Sequence, residues 1–217
     1  MRRIRLGARA KHQFALIPEL LLTYRILHRR SRVAHAPNGV DTGAFRKVAR
    51  GNGRAICVGG ISPRKRQAEI ARALTGTDAS CDFVGPIDHE SPDTKVVAES
   101  PAYLGEWTGE MLRERLTEYS VFVLYSRSEA AQPLVVGEAL AAGLSVVLSP
   151  ESARHLDRTL PFVTVVDREE EIAEAILTAA AGNAELRPRI VEYAQNVWDW
   201  APKVAAVEER LLTWRAR

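Results

Sequence analysis

From Gly39 onward the chain alternates short apolar runs with stretches of helical period, and few folds accept that pattern. The apolar runs fall at 55–58, 81–84, 102–104, 121–125, 145–148 and 162–166. Helical patterns fall at 63–74, 93–98, 109–119, 134–142 and 169–181. Strands that are apolar along their whole length leave no face for water, so the sheet they build is parallel and covered by helices on both sides, with right-handed crossovers. The expected fold is α/β: a doubly wound, Rossmann-like parallel sheet. A length of 217 residues with 46% hydrophobic content supports one such core with appendages rather than two full domains.

The two flanks differ from this body. In 14–32 the apolar residues Leu16, Ile17, Leu20, Leu21, Tyr24 and Leu27 recur at three- and four-residue steps, with Arg25, Arg29 and Arg30 following, so 1–32 reads as a basic amphipathic helical arm. Its apolar stripe needs a cover: the domain's own flank, a partner, or lipid headgroups with the arginines as anchors. Residues 1–50 hold 12 Lys or Arg against Glu19 and Asp41, a local charge of +10, while the remainder is at −7. Such an arm suits nucleic acid, an anionic membrane surface or an anionic partner, and a plain solvated basic helix equally. The acidic body and the lack of interleaved aromatic and basic residues argue against nucleic acid. The other flank, 185–217, reads as one or two helices carrying Trp198, Trp200 and Trp214, aromatic rings that require packing. The expected division is therefore the arm, 1–32, and one domain, 33–217, that includes the C-terminal helices.

Cys57 and Cys81 both sit in apolar runs and read as reduced, buried thiols. The first apolar run, 14–27, comes late, contains Pro18, Glu19 and Arg25, lacks a cleavage pattern and is too short to span a bilayer. A cytoplasmic protein is expected, touching the inner membrane face peripherally through its arm.

In an open parallel sheet ligands bind beyond the carboxyl ends of the strands, which directs attention to three loops. The first runs Val58-Gly59-Gly60-Ile61-Ser62-Pro63-Arg64-Lys65-Arg66. Its glycines permit close approach of a ligand to backbone, and Ser62-Pro63 reads as a helix cap and first helical residue. Three cations on a positive helix end suggest an anion to meet them, although an ordinary capped helix with solvated arginines reads as well. The second loop leaves Tyr125 and holds Glu129, Gln132 and Pro133 before a helix opening at Leu134 and Val135, with Glu138 about a turn inside. Bare amides at that helix start suit a diphosphate, and the two carboxylates suit sugar hydroxyls; two surface glutamates are the plainer alternative. The third, Gly105-Glu106-Trp107, offers a ring that either stacks on a base or packs into the core. His35, His89 and His155 lack the spacing of metal ligands, and no metal is expected.

At these loops the chain resembles the donor-binding domain of group 1 (family four) GT-B glycosyltransferases. His35-Ala36-Pro37-Asn38-Gly39-Val40-Asp41 is similar to the family's Pro-Asn-Gly-Val-Asp lead-in. The likeness continues through the 58–66 loop, Leu104-Gly105-Glu106 and Glu138-Ala139-Leu140-Ala141-Ala142-Gly143 to the helix around Trp200, covering roughly 33–217 in the family's order. What the resemblance implies is a retaining transfer of a sugar from a nucleoside-diphosphate sugar to a polysaccharide or glycolipid. Lys65 corresponds to the family lysine that neutralises the leaving diphosphate, and Glu138 to the glutamate that holds the ribose hydroxyls. The family glutamate that holds the sugar has seven residues between it and the second; Glu129 and Glu138 have eight, and Ala130 stands at the expected position. The family's arginine five residues before the lysine is Gly60 here, leaving that phosphate contact absent or supplied by Arg64 or Arg66. Gly59, Gly60, Arg64, Gly105, Glu106, Gln132, Pro133, Leu134 and Val135 complete the expected donor site, with Lys65 and Glu129 as its catalytic pair.

Family members pair this domain with an acceptor-binding one, for which too few residues precede Pro37. A fragment, a split enzyme whose acceptor half is another polypeptide, and a copy that binds nucleotide-sugar without turnover all remain open on sequence alone. The arm then corresponds to the end of the acceptor domain or to a docking surface for its substitute.

Overall fold

Pro18 decides how the N-terminal segment folds: its ring fixes φ, it brings no N–H, and it keeps the residue before it extended. In place of one helix over 14–32 the chain forms β1 (His12–Ala15), α1 (Glu19–Leu27) and β2 (Arg32–His35). The apolar steps at Leu20, Leu21, Tyr24 and Leu27 are helical as expected, but β1 and β2 pair in parallel, His12 opposite Arg32 through Ala15 opposite His35, and that pairing overrides a helix on either side. This computed structural model describes residues 12–27, 29, 31–129 and 131–215, so Arg30, Ala130 and the basic residues of 1–11 lie outside the described residues.

The division of the chain also differs from the one expected. The described residues up to Gly39 associate with those from Asp199 onward as one unit, and the described residues of Val40–Trp198 form the other. The reason is the C-terminal tryptophans. In the first unit the last helix, which becomes α7 (Trp200–Arg215), brings Trp214 onto β1, its ring 5.0 Å from that of His12 in a near-parallel stack and 5.4 Å from that of Phe14. Arg32 donates to the Trp214 carbonyl and Lys203 to that of Asn38. A Cβ on Gly39 would stand 2.8 Å from the Trp200 ring, so the Asn-Gly turn is also a packing position. Helix α1 contributes no fully buried residue, and Leu22, Ile26 and Leu27 are exposed.

The second unit is the doubly wound sheet: β3 (Ala55–Val58), β4 (Cys81–Val84), β5 (Val121–Leu124), β6 (Ser145–Leu148) and β7 (Val163–Val165), all parallel, in spatial order β4-β3-β5-β6-β7. The expected strand at 102–104 shrinks to one bridge, Tyr103 to Phe83, between Pro101 and the left-handed Gly105. Counted as a sixth position beside β4, it completes the 3-2-1-4-5-6 order of a dinucleotide-binding fold. Alternate residues of β5 enter opposite cores: Phe122 and Leu124 join one cluster, Val121 and Val123 the other. That is why these strands read as unbroken apolar runs. Cys57 and Cys81 lie fully inside, and burial pushes the Cys57 thiol up to about 12 and raises that of Cys81, so both are protonated core residues.

The helices are α2 (Gln67–Ala73), α3 (Lys95–Ala98), α4 (Gly109–Arg115), α5 (Leu134–Ala141) and α6 (Ile172–Val197). Thr108 caps α4, its hydroxyl accepting from the Met111 N–H at 3.2 Å. Helix α6 runs straight through the expected break near 182–185. Its buried Asn183 donates to the Gly143 carbonyl (3.0 Å) and the Ser145 hydroxyl (3.2 Å), while buried Arg187 donates to the carbonyls of Thr117 and Ala142. These bonds tie the helix to the base of the sheet and outweigh the weak propensities of Gly182, Asn183 and Pro188.

Candidate functional site

The chain leaves β3 toward β4 on one side, then crosses back to β5 on the other, which makes the β3/β5 boundary the point where the winding reverses. In such sheets ligands bind in the crevice outside the carboxyl ends of the strands at this boundary. Here the crevice is bordered by the loops after Val58 and Leu124, two of those singled out in the sequence.

The first loop departs from its expected form. No helix begins at Pro63; the N–H groups of Lys65 and Arg66 both donate to the Ser62 carbonyl, at 3.0 and 3.1 Å, and α2 starts only at Gln67. Ser62 is thus the head of a turn rather than a helix cap, and Gln67, buried, closes the turn by accepting from the Ser62 N–H and donating to the Gly60 carbonyl. The expected cluster of three cations on a helix end is replaced by a turn that parts Arg66 from the other two. Lys65 reaches across to the second loop, where its Nζ lies 2.5 Å from Glu129 Oε1, both side chains being largely buried. Arg64 follows the same direction from a more exposed position, its Nη1 2.8 Å from the Ser128 carbonyl and 3.6 Å from Glu129 Oε1. Arg66 points elsewhere, its guanidinium lying 3.6 Å from the centre of the Tyr125 ring and paired with Glu69. The structure therefore brings Arg64, Lys65 and Glu129 together and keeps Arg66 apart from them.

Three glycines in left-handed conformations line the sheet's carboxyl edge next to this group: Gly59 (φ 139°), Gly85 (φ 140°) and Gly105 (φ 77°). Gly85 donates to the Gly105 carbonyl at 2.9 Å, and a Cβ on Gly85 would strike the Gly59 carbonyl at 2.3 Å. Nothing lies within 4 Å of where a Cβ on Gly59 or Gly105 would stand, so backbone is open to a ligand at both. Gly60 has ordinary backbone geometry and room for a side chain, its nearest neighbour being the Pro86 carbonyl at 3.9 Å. Gly85 went unnoticed in the sequence although it follows Val84 as Gly59 follows Val58. Glu106 is exposed, while Trp107 packs against the core beside Tyr119, ring centres 6.5 Å apart, with Arg115 over its face.

On the other side Pro133 stands in extended geometry immediately before α5 and leaves the amides of Leu134 and Val135 at an uncapped helix start. Leu134 is exposed and Val135 half-buried; Gln132 donates to the His155 carbonyl at 3.0 Å. Inside α5, Glu138 is half-buried and burial raises its pKa, Arg113 drawing it part of the way back. The residue just before Glu138 holds a feature invisible in the sequence: a Cβ on Gly137 would stand 2.2 Å from the ring of fully buried Trp198.

A Rossmann-order parallel sheet with charged and glycine-rich loops meeting at its switch point is the architecture of one half of a GT-B glycosyltransferase. The sequence profile of the family described as group 1 glycosyl transferases matches residues 52–181, and the chain belongs to that family. No curated protein matches the sequence. Among solved structures, sucrose-phosphate synthase from Thermosynechococcus elongatus is similar at 18% identity and a TM-score of 0.78, over 99% of this chain and 61% of that one. Anabaena HepE, solved with UDP and glucose, is similar at 16% identity and a TM-score of 0.76, over 98% of this chain and 66% of that one. The pneumococcal O-GlcNAc transferase GtfA, solved with UDP and GlcNAc, gives 13% and 0.66, over 98% and 47%. At these identities the likeness is one of fold, and this chain spans less than two thirds of the length of each of the three.

Proposed function

We propose that this chain binds a nucleoside-diphosphate sugar at the β3/β5 crevice and supplies the donor side of a retaining glycosyl transfer, with a hexose as the sugar and a polysaccharide or glycolipid as acceptor. The observation that carries this reading is the meeting of Lys65, Arg64 and Glu129 above the switch point, beside the uncapped start of α5. The donor's bond from anomeric carbon to diphosphate oxygen breaks through an oxocarbenium-like state, and negative charge gathers on the leaving diphosphate. Lys65 and Arg64, with the Leu134 and Val135 amides, meet that charge where it develops. Glu129, released from Lys65 by the phosphates, accepts hydrogen bonds from sugar hydroxyls, and Glu138 accepts them from the ribose. Gly59 and Gly105 admit the ligand to backbone, with Glu106 at the base end. The acceptor hydroxyl then forms the new bond on the face the diphosphate leaves, its proton passing to the departing group. No divalent metal is required in this scheme, because the cations of the first loop take its place.

The nucleotides bound by the solved neighbours make uridine diphosphate the first to test. An acceptor-binding domain or polypeptide is the partner this reading calls for, and we place the complex in the cytoplasm, peripheral to the inner membrane face. No described helix is long and apolar enough to cross a membrane. Titration calorimetry of the chain against UDP, GDP, ADP and their common sugars tests the site. Binding of one diphosphate that Lys65→Ala weakens by at least about 10-fold, the worth of about 1.4 kcal/mol, is the expected result. Equal binding by wild type and Lys65→Ala refutes it. A second reading, a subunit that binds nucleotide-sugar without turnover, is motivated by Gly60 standing where the family carries an arginine; binding that persists with no transfer in any reconstituted pair favours it.

A further inference from the structure

Arg66 is, among the described residues, the one non-glycine with positive φ (59°, ψ 31°). A side chain there is strained, and such a conformation persists only where its surroundings over-determine it. What surrounds Arg66 is a closed circuit joining the two loops that flank the crevice. Its guanidinium lies over the Tyr125 ring at 3.6 Å and pairs with Glu69. Tyr125, the residue directly after β5, is itself anchored by its hydroxyl, which donates to the Asp167 carbonyl at 2.8 Å. Glu69 also receives Arg127 of the second loop at 3.1 Å, and the Arg127 N–H returns to the Arg64 carbonyl at 2.9 Å. Lys65 sits inside that circuit, one residue before the strained position.

A glycine at 66 would make the same turn without strain, but would leave it untied to the second loop. We propose that Arg66 is a positioning residue: its clamp onto Tyr125 and Glu69 fixes the 62–66 turn so that Lys65 is held at Glu129 and at the phosphates of a donor. The charge of Arg66 is spent on Tyr125 and Glu69, so it acts through Lys65 and does not touch the ligand. This rests on the donor-site reading for its functional consequence, but its geometric core does not.

The test therefore has a ligand-free arm. In the full chain labelled with ¹⁵N, the Lys65 ammonium, assigned by its loss in Lys65→Arg, is expected to exchange slowly with water. In Arg66→Gly its exchange quickens about 10-fold or more while the thermal midpoint does not fall, since backbone strain is relieved as the clamp is lost. UDP affinity falls about 10-fold in Arg66→Gly, falls in the same direction in Glu69→Gln, which leaves the backbone untouched, and is largely recovered in Arg66→Lys, which retains a cation over Tyr125. Unchanged ammonium exchange and unchanged UDP affinity in Arg66→Gly overturn the proposal, as does an affinity loss matched by a drop in thermal midpoint that Arg66→Lys fails to rescue. A wild-type chain that binds no diphosphate, yet shows the change in ammonium exchange, sinks the donor site and leaves the positioning role standing.

Discussion

Replacing Gly137 by alanine sets helix propensity against packing, and the structure decides the sign. Gly137 lies inside α5, where alanine is intrinsically better by about 1 kcal/mol. Its added methyl, however, would stand 2.2, 2.7 and 2.9 Å from three carbons of the Trp198 ring, whereas carbon contacts are comfortable at about 3.5–4.0 Å. Trp198 is 1% exposed and belongs to the larger core cluster, so the ring has no free volume to move into without displacing that cluster. Overpacking that requires a shift of an ångström or more falls at the upper end of the usual range of about 1–3 kcal/mol. The net effect of Gly137→Ala is therefore a loss of about 1–2 kcal/mol, or roughly 3–6 °C in the thermal midpoint of a chain this size. Chemical denaturation followed by tryptophan fluorescence measures it directly. In a Trp198→Phe background the smaller ring leaves room, so the same substitution should become neutral or stabilising, a coupling that a double-mutant cycle reads. A Gly137→Ala chain that melts higher than wild type would refute the packing argument and leave propensity alone in charge.

Two further predictions concern the site. Burial raises the Glu138 pKa, so folding disfavours its ionised form: the penalty is absent at pH below the unfolded carboxyl range, grows as pH rises through it, and is complete above the folded pKa. Glu138→Gln should accordingly raise the thermal midpoint at pH 7, leave it unchanged near pH 3, and weaken nucleoside-diphosphate binding; an equal gain at both pH values would contradict the burial argument. Gly60 has ordinary backbone geometry and open space, so Gly60→Arg should fold normally and tighten diphosphate binding about 10-fold, the worth of one charge-assisted hydrogen bond of about 1.5 kcal/mol; calorimetry showing unchanged or weaker affinity would mean that the 60 position does not face the phosphates.

What was legible in the sequence, and what was not, follows from the range of the forces involved. The strands of the second unit could be read because burial on both sheet faces writes itself into consecutive residues, as in Val121–Leu124, and α5 could be read because Pro133 marks its start locally. The segments that misled are those where a distant partner outbid a local signal. The steps of 14–32 look helical until β1 finds β2, and Gly182 and Asn183 look like a break until Asn183 finds the Gly143 carbonyl. The same holds at the site. Ser62-Pro63 is a good local cap signal, yet α2 begins four residues later, because Arg66 takes up a left-handed conformation held by Tyr125, 59 residues further along the chain. Residue types at the switch point could be named from the sequence because each loop follows a strand end, but which cation faces Glu129 depends on how that turn is clamped. Lys65 and Arg66 are adjacent and alike in charge; only the circuit through Tyr125, Glu69 and Arg127 separates the one that faces the crevice from the one that holds it there.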